Sequence, residues 1–594
     1  MLRRLLITAT LTTVLLTGCT SLEFLRTKKP AADKVASALV TGLGKADLSG
    51  LPILPTASQA QHEYQEITRS LGEIHPDVEL GKITYQDEKA LADLQITYPI
   101  GDGWKYHSTA ELRLVEDNWQ IVWQPKLLHP QLTNNTKLVL SKTTPRRAAI
   151  NGSNGLALVE QVPAIRIGLD KANLPKEDWV SSAKQLAKIL KINAKNYVAK
   201  VQNSGDKAFV IAKVAIQGKL PPEVSSVKGV YLQETETSMS LSKTFAAAIL
   251  GTTGQVTAET LANNGALKIG DTVGIRGLQA RYDQQLRGEP GYLVKIVSRN
   301  NANPIEPKLV FEQKATTGEP LNLTMNADLQ AEAEDLLANQ SGVASLVALR
   351  ASTGEILVAA NSPAAKLNPF ATAGHYPPGS TFKIVTTLAL LRNGYTPETK
   401  VNCAEEYVVD GKKFTNYPEY PDDGIGEVPL AKAFAYSCNT AFLAAAEEIS
   451  PEDLADAAAS LGLGVQYDSG FETFLGEIPQ SDNQIAKTAA LIGQGQVVAS
   501  PLAMATVIAS AASGKTQVPW LIRGQQPTPS AKPLSTNEAQ TLQLLLTKVV
   551  SEGTANVLDG VVTGAKTGTA QFGTEQPYQY HAWMLAYHED IAVA

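Results

Sequence analysis

Alternating apolar and polar residues predict a group of β-strands in the first quarter of the chain. Leu94, Ile96 and Tyr98 are separated by single polar residues, and a similar alternation continues as far as Trp123. A period of two places one face of each strand against a core. With the helical stretch before them, these strands predict a compact α+β domain over residues 33–142, and no cluster of catalytic residues stands out within it.

Between residues 143 and 316 the pattern changes to short strands, glycine-rich turns and amphipathic helices. Trp179, Ala183 and Leu186 fall on one face of a predicted helix. The stretch GLQARYDQQLRGEPG, residues 277–291, places charged residues between glycines. We interpret it as a structural clamp in preference to a binding loop, and the whole region as a scaffold.

The last block, residues 317–594, has predicted strands at both ends and helices between them. The run SLVALRASTGEILVAA predicts a β-hairpin that turns at Gly354, and a second hairpin is predicted from GVVTGAKTGTAQFG and HAWMLAYHEDIAVA. Alanine-rich helices are expected over residues 430–445 and 502–512. This arrangement predicts one antiparallel sheet covered by helices.

The run HYPPGSTFKIVTTLALL, residues 375–391, places a serine and a lysine one helical turn apart. Proline and glycine precede Ser380, and an almost entirely apolar helix follows it to Leu391. Lys383 lies three residues after the serine, so the two side chains share a face at the helix N-terminus. A buried lysine with a lowered pKa could deprotonate this serine, but taken alone the pattern also fits a helix cap and a solvated lysine.

Two further motifs favour the catalytic interpretation of Ser380 and Lys383 over the helix cap. Ser437 and Asn439 form an SxN motif, and Lys566 begins the motif KTGT. Each is weak alone, but SxxK, SxN and KTG in this order within one α/β block form a strong constellation for acyl transfer through a serine.

Composition and charge remove other classes of function. The chain has 594 residues, 44% of them hydrophobic and 19% charged, which is enough for several folded domains. A net charge of -6 offers no basic surface for nucleic acid. The seven histidines show no metal-ligand spacing, so neither a metal nor a cofactor is predicted.

The first 19 residues have the features of a bacterial export signal. Arg3 and Arg4 precede a short apolar run, which is too short to span a bilayer. The following sequence LTGC resembles a lipobox and implies cleavage before Cys19 and attachment of lipid to its sulfur; the alternative is an ordinary secretory signal with an incidental cysteine. We therefore expect a lipid-anchored protein on the extracytoplasmic face of a bacterial membrane, with residues 20–32 as its tether.

The three motifs resemble those of the transpeptidase domain of penicillin-binding proteins. The segments YPPGSTFK, SCNTAF, LIGQGQVVASPLAMA, SEGTA and KTGTAQ are more similar to the high-molecular-weight enzymes than to β-lactamases. Residues 277–291 look like the pedestal of the class B subgroup. The segment WQPKLLHPQL closes a region similar to the MecA-like N-terminal domain, a cone-shaped fold related to nuclear transport factor proteins.

The resemblance implies a multidomain α+β protein. It places a MecA-like N-terminal domain at residues 33–142, an elongated class B pedestal of the dimerisation type at 143–316, and a transpeptidase domain with the penicillin-binding/serine β-lactamase-like fold at 317–594. The chain ends as an apolar strand opens, so we expect that domain to be truncated and the sequence to be a fragment of a longer product. In the family's strand order this last strand lies between residues 345–349 and 581–587.

The motifs and the resemblance together assign a role to each site residue. Ser380 would attack a terminal D-Ala-D-Ala peptide and form the acyl-enzyme, with Lys383 as the base. Ser437 would relay a proton to the leaving amine, and Asn439 would hold the substrate amide. Lys566 would supply positive charge for the substrate carboxylate.

The rest of the third motif is expected to bind the substrate. Thr567 and Thr569 share one face of a strand and could bond to the substrate carboxylate. Gly568 would let the acyl chain approach the backbone. The family's oxyanion hole implies the backbone N–H groups of Ser380 and Thr569.

Two cysteines remain if the first is lipidated. Cys403 and Cys438 would lie in an oxidising compartment, where a disulfide and two buried free thiols are both open to them. Because the base and oxyanion donors surround Ser380, we interpret Cys438 as buried packing or half of a disulfide, and not as a nucleophile.

The leading hypothesis for function is peptidoglycan D,D-transpeptidation between stem peptides, inhibited covalently by β-lactams. A D,D-carboxypeptidase or a β-lactamase would pass the same acyl group to water. A sensor or scaffold that binds β-lactams without turnover is the third alternative, although all three motifs are intact. The resemblance also implies partners in the cell-wall synthesis machinery.

Overall fold

The computed structural model describes residues 31–256, 267, 271–300, 304–481, 483–572 and 579–594. The predicted signal peptide, Cys19 and most of the tether lie outside these residues. The described chain forms two compact units. One comprises the residues up to Thr144 together with Pro290–Ala315, and the other comprises Pro145–Glu289 and Thr316–Ala594.

A five-stranded sheet forms the centre of the first unit. Its strands lie in the order Ile53–Leu54, Asn118–Val122, Trp104–Val115, Lys89–Tyr98 and Asp77–Gln86, and its helices include Asp33–Lys45 and Ala57–Thr68. The first two strands are parallel and the other pairs antiparallel. Leu94, Ile96 and Tyr98 are almost fully buried. This burial confirms the strand predicted from their alternation.

Residues 290–315 add strands to this first unit, although they lie far from it in sequence. The strand Gly291–Ser298 pairs with Thr136–Thr143 on one side and with Lys308–Gln313 on the other. Its Val294 is fully buried in the core of the first unit. Part of the stretch predicted as pedestal therefore belongs to the N-terminal unit.

The second unit begins with a scaffold of strands and helices. One sheet has its strands in the order Val230–Ser240, Ala157–Asp170, Ile150–Asn151 and Leu321–Asn322. A further strand, Phe209–Ile216, pairs with Ala157–Asp170. A separate two-stranded sheet pairs Thr253–Gln255 with Thr272–Gly274. Its described helices include Trp179–Ile189, Ala194–Asn203, Ala247–Leu250, Gly277–Arg281 and Asp283–Arg287. Trp179, Ala183 and Leu186 share the buried face of the first of these helices, as their spacing predicts.

Residues 277–291 contribute to a clamp around a buried arginine. The Arg147 side chain, which is 6% exposed, donates to Gln279 Oε1 at 2.8 Å and to Asp283 Oδ1 at 2.6 Å. Asp283 also pairs with Arg287 at 3.3 Å. These contacts confirm the interpretation of this stretch as a structural clamp.

The rest of the second unit is built on a five-stranded antiparallel sheet. Its strands lie in the order Ile356–Asn361, Ser345–Arg350, Ile591–Val593, Gln579–His588 and Gly564–Phe572. The first two strands form the hairpin predicted around Gly354, and the last two form the second predicted hairpin. The short strand Ile591–Val593 occupies the position in the sheet that was predicted for it.

Helices cover both faces of this sheet. Ala327–Leu337 packs on one face, and Pro501–Ser513 lies in the large core on the other. The remaining described α-helices include Phe370–Ala373, Lys383–Arg392, Leu430–Ala435, Asn439–Ala444, Pro451–Ser460, Gln484–Ala490 and Thr536–Ser551. Two-stranded pairs are Lys400–Cys403 with Gly426–Pro429 and Glu406–Val409 with Lys412–Thr415. Within the described part of the chain, no helix has the length and apolar character needed to cross a membrane.

The alanine-rich segment 430–445, predicted as one helix, is two helices. Leu430–Ala435 and Asn439–Ala444 are separated at Ser437, whose φ of 59° lies in the left-handed region. A serine adopts this conformation only where its surroundings stabilise it. The prediction was wrong here because helix propensity does not register the contacts that Ser437 makes with distant parts of the chain.

Candidate active site

Ser380 lies in a tight turn at the start of a buried helix. The 3₁₀ turn Gly379–Phe382 leads directly into the α-helix Lys383–Arg392. Gly379 has a φ of 55°, and a Cβ there would meet the carbonyl oxygen of Thr569 at 2.7 Å. Glycine therefore allows the turn that carries Ser380 to lie directly against the backbone of the strand that carries Thr569.

Lys383 connects the first two motifs. Its side chain is fully buried, and Nζ lies 3.1 Å from Ser380 Oγ. The same nitrogen lies 2.7 Å from the carbonyl oxygen of Ser437, 3.3 Å from Ser437 Oγ and 2.8 Å from Asn439 Oδ1. Lys383 is therefore a buried amine held between the predicted nucleophile and the SxN motif, and not a solvated side chain.

Lys566 reaches the same serine from the sheet. Its side chain is fully buried, and Nζ donates to Ser437 Oγ at 2.9 Å and to the carbonyl oxygen of Thr567 at 3.1 Å. Ser437 Oγ is thus shared by Lys383 and Lys566. The hydroxyl forms a polar bridge between the two lysines.

Burial makes both lysines poor cations. It lowers the pKa of Lys566 to about 7. Burial, and secondly the charge of Lys566, hold the pKa of Lys383 well below its usual value. A neutral amine beside a serine hydroxyl is able to accept its proton, so the arrangement suits activation of Ser380.

The SxN motif is fastened by a disulfide. Cys438 is bonded to Cys403, 35 residues away in sequence, with their Cα atoms 6.2 Å apart. Cys438 also caps the helix Asn439–Ala444 by accepting a hydrogen bond at its sulfur from Ala441 N–H. The structure thus resolves the choice that the sequence leaves open, and Cys438 has no free thiol.

The remaining residues of the KTG motif have contacts within the protein. Thr567 Oγ1 lies 2.6 Å from Thr554 Oγ1. At Gly568 a Cβ would meet Thr381 Cγ2 at 2.8 Å, so the missing side chain permits the strand to pack against the nucleophile turn. This packing is a structural need for glycine beyond the expected approach of substrate. Thr569 is exposed, and its side chain is free to meet a ligand.

The structure brings five predicted residues into one chain of contacts: Ser380, Lys383, Ser437, Asn439 and Lys566. Within the described ranges, no group of three or more histidine, cysteine, aspartate and glutamate side chains could hold a metal ion. The contacts among the five residues suit proton transfer between the Ser380 and Ser437 hydroxyls and the two lysine amines.

Sequence reasoning missed two residues that support the site. Asn416 Oδ1 accepts a hydrogen bond from Asn439 N–H at 2.7 Å, and no motif surrounds Asn416. Thr554, the partner of Thr567, lies in the segment SEGTA, outside the three motifs. The signal that points to it is the resemblance of that segment to the high-molecular-weight enzymes.

Aromatic residues line the sheet beside the nucleophile turn. The His581 ring stacks on Phe572 with ring centroids 4.1 Å apart and meets Tyr376 edge-on at 5.0 Å. Trp583 Nε1–H donates to the carbonyl oxygen of Pro377 at 3.0 Å. Burial lowers the pKa of His581, which favours its neutral form in this apolar setting.

Three family models match successive parts of the chain. The models are the NTF2-like N-terminal transpeptidase domain at residues 53–136, the penicillin-binding protein dimerisation domain at 142–323, and the penicillin binding protein transpeptidase domain at 344–593. The five residues of the site all fall within the third match.

Curated relatives agree with these models. Penicillin-binding protein 3 of Bacillus subtilis is 26% identical over 595 aligned residues, covering 90% of this chain and 86% of the relative. The peptidoglycan D,D-transpeptidase PbpA of Mycobacterium tuberculosis is 31% identical over 253 residues, covering 38% of this chain and 50% of the relative. The peptidoglycan D,D-transpeptidase FtsI of Escherichia coli K12 is 23% identical, covering 76% and 78%.

The fold is also similar to that of solved structures. The complex between penicillin-binding protein PBP2 and MreC from Helicobacter pylori contains a chain that matches with a TM-score of 0.62 and 22% identity. The match covers 77% of this chain and 94% of that one.

Proposed function

The chain belongs to the class B penicillin-binding proteins and is a serine-type peptidoglycan D,D-transpeptidase, and we propose that Ser380 carries its acyl-enzyme. The Ser380 oxygen attacks the carbonyl carbon of the terminal D-Ala-D-Ala bond of a stem peptide, and D-alanine leaves. An amine from a neighbouring stem peptide then takes the acyl group and releases the serine. A β-lactam acylates the same oxygen, but its amine cannot diffuse away.

The position of Lys383 Nζ is the observation that carries this proposal. As a neutral amine, Lys383 has two N–H donors, and two close acceptors are available in the Ser437 carbonyl at 2.7 Å and Asn439 Oδ1 at 2.8 Å. The lone pair then remains for the Ser380 hydroxyl at 3.1 Å. Lys383 therefore accepts the proton of Ser380 as the oxygen attacks.

Ser437 passes a proton onward to the leaving amine. Its hydroxyl lies within 3.3 Å of Lys383 Nζ and 2.9 Å of Lys566 Nζ, so a proton taken up by Lys383 can reach the hydroxyl without large movement. Lys566 orients the hydroxyl and supplies positive potential, although its burial limits direct contact with a substrate carboxylate. Asn439 fixes Lys383 and contacts the substrate amide.

The substrate and the oxyanion lie along the strand that carries the KTG motif. Thr567 and Thr569 alternate with buried residues and so share its open face. Their hydroxyls bind the substrate carboxylate, and Gly568 keeps the strand close to the nucleophile turn. The backbone N–H groups of Ser380 and Thr569 stabilise the developing oxyanion, for which one donor is typically worth about 3 kcal/mol.

Product analysis separates cross-linking from hydrolysis. The purified protein is incubated with a stem peptide ending in D-Ala-D-Ala and with a second peptide that offers an acceptor amine. Mass spectrometry should detect the cross-linked product and an equal amount of D-alanine. If the trimmed donor peptide were the sole product at every acceptor concentration, the protein would be a carboxypeptidase.

The family matches support an extracytoplasmic site of action, and we propose that Cys19 anchors the chain there by its lipid. A lipid on the N-terminal residue and residues 20–32 as a tether would hold the enzyme at the outer face of the cell membrane. One acyl chain binds membranes only marginally, so multiple acylation is expected. Cys19→Ala should move the protein to the soluble fraction after a salt wash, and retention in the membrane would refute the anchor.

The division into functional parts follows the same family. We assign residues 33–142 to the MecA-like N-terminal domain, 143–316 to the pedestal and 317–594 to the transpeptidase. Within the pedestal range, Pro290–Ala315 fold with the N-terminal unit. Because the Helicobacter pylori relative was solved as a complex with MreC, we also propose that this chain works beside proteins of the cell-wall synthesis machinery. Crosslinking in cells, followed by identification of the captured proteins, tests this; the absence of any such protein would contradict it.

A further inference from the structure

The SxN motif adopts a backbone conformation that it would not choose by itself. Ser437 has a φ of 59°, in the left-handed region, within a segment whose composition favours a continuous helix. The conformation turns both the carbonyl oxygen and the hydroxyl of Ser437 toward Lys383. Something outside the segment must hold it in place.

A disulfide ties this segment to a neighbouring strand. Cys438 directly follows Ser437, and it is bonded to Cys403, the last residue of the strand Lys400–Cys403. Both cysteines are fully buried. The bond therefore fixes the peptide between the two functional residues of the motif to a β-strand outside it.

The side chain of Asn416 fastens the other side of the motif to the same strand end. Its Oδ1 accepts from Asn439 N–H at 2.7 Å and more weakly from Thr440 N–H at 3.4 Å. Its Nδ2 donates to the carbonyl oxygen of Ala404 at 3.3 Å, and Thr440 Oγ1 donates to that oxygen at 2.7 Å. We call the Cys403–Cys438 bond together with Asn416 the SxN brace.

We propose that the SxN brace positions Ser437 and Asn439 for acylation, so that the disulfide is a part of the catalytic geometry and not only of the fold. This inference rests on the proposed role of Ser380 and Lys383. Without the bond, the segment is free to relax toward the helix that its sequence favours. The Ser437 carbonyl and Asn439 Oδ1 then leave Lys383, which loses both its orientation and its neighbours.

Three variants test the bond itself: Cys403→Ala, Cys438→Ala and the double replacement. We measure the second-order rate of acylation by a fluorescent penicillin, its pH profile, and the melting temperature. A displacement on the order of 1 Å can slow catalysis about a hundredfold. We therefore expect the acylation rate to fall roughly ten- to a hundredfold, by the same factor in all three variants. We also expect the acid limb of its pH profile to be displaced.

Ser510→Ala is the matched control for general destabilisation. Ser510 is fully buried and similar in size to cysteine, and its hydroxyl bonds to Leu461 and Gln517 and to no residue of the site. This variant should lower the melting temperature but leave the acylation rate and its pH profile unchanged. Asn416→Ala keeps the disulfide and should also slow acylation. This variant tests the SxN brace if the cysteine variants fail to fold.

Several outcomes overturn the inference. One is wild-type acylation in the cysteine variants and in Asn416→Ala. A second is a loss in Cys438→Ala that Cys403→Ala does not share, because the side chain and not the bond would then matter. A third is an equal loss in Ser510→Ala. If the wild-type protein does not label at Ser380, the proposed function fails instead, so the two failures are distinguishable.

Discussion

Replacing Lys566 by methionine should move the acid limb of the acylation rate to higher pH. In the proposed mechanism acylation requires neutral Lys383, so its rate should rise with pH through the pKa of that lysine. Burial, and after it the charge of Lys566, hold this pKa low. Removing the charge raises the pKa of Lys383, and a smaller fraction of the enzyme is then active at neutral pH.

The strength of the repulsion between the two lysines follows from their distances to the hydroxyl that they share. Lys383 Nζ lies 3.3 Å and Lys566 Nζ 2.9 Å from Ser437 Oγ, so the two nitrogens are no more than about 6 Å apart. Two unit charges at this distance repel by about 3 kcal/mol at an effective dielectric constant of about 20. Because burial lowers the pKa of Lys566 to about 7, its charge is partial near neutrality, so the pKa of Lys383 rises by less than the full repulsion would give.

The assay is the rate of covalent labelling by a fluorescent penicillin between about pH 6 and about pH 10, a range that lies below the ordinary lysine pKa of about 10.4. The variant and the wild type are compared by the pH at which the acid limb lies. The rates themselves are not compared, because Lys566→Met also lowers the maximal rate. Lys548→Met is the control, because Lys548 is a surface residue paired with Glu552. Lys566→Arg keeps a permanent charge and should leave the limb at low pH. An unmoved limb, or one displaced to lower pH in Lys566→Met, would refute the coupling of the two lysines.

Two further changes separate the site from its scaffold. Ser437→Ala removes the hydroxyl that both lysines contact, and it should slow penicillin acylation about ten- to a hundredfold with an unchanged far-ultraviolet circular dichroism spectrum; a wild-type rate would exclude Ser437 from proton transfer. Arg147→Met leaves the clamp carboxylate of Asp283 without its main partner and should cost about 3 kcal/mol of stability. Thermal unfolding measures that loss, and acylation below the transition should stay unchanged, so a slowed reaction would link the clamp to the site.

The elements that carry the site could be predicted where the sequence is locally periodic. Alternation marked Lys89–Tyr98, and apolar runs around turn residues marked both hairpins of the central sheet. The three motifs predicted Ser380, Lys383 and Ser437 as site residues, because the spacing within each motif already implies a shared helix face or turn. These predictions needed only local geometry.

The break at Ser437 could not be predicted because no glycine or proline marks it. Residues 430–445 favour a helix by composition, and the contacts of Ser437 with Lys383 and of Cys438 with Cys403 override that preference. Such contacts depend on distances between residues far apart in sequence, which no local pattern contains.

The same limit applies to Asn416 and to the strands of residues 290–315. Asn416 acts through its side-chain hydrogen bond to Asn439 N–H, which is visible only when the chain is folded. The strand Gly291–Ser298 pairs with Thr136–Thr143 across a long stretch of chain. The order of the chain therefore suggested a single boundary near residue 142. In the fold, the N-terminal unit is built from two separate segments of the chain.

The most direct test of the account is to locate the covalent bond formed with penicillin. The protein is labelled with a fluorescent penicillin and digested, and the modified residue is identified by mass spectrometry. The account predicts one label on Ser380 and no label in Ser380→Ala. This variant should stay folded with at most a small fall in melting temperature, since a hydroxyl at a helix start is worth only about 1 kcal/mol. A label on any other residue, or labelling retained by folded Ser380→Ala, would contradict it.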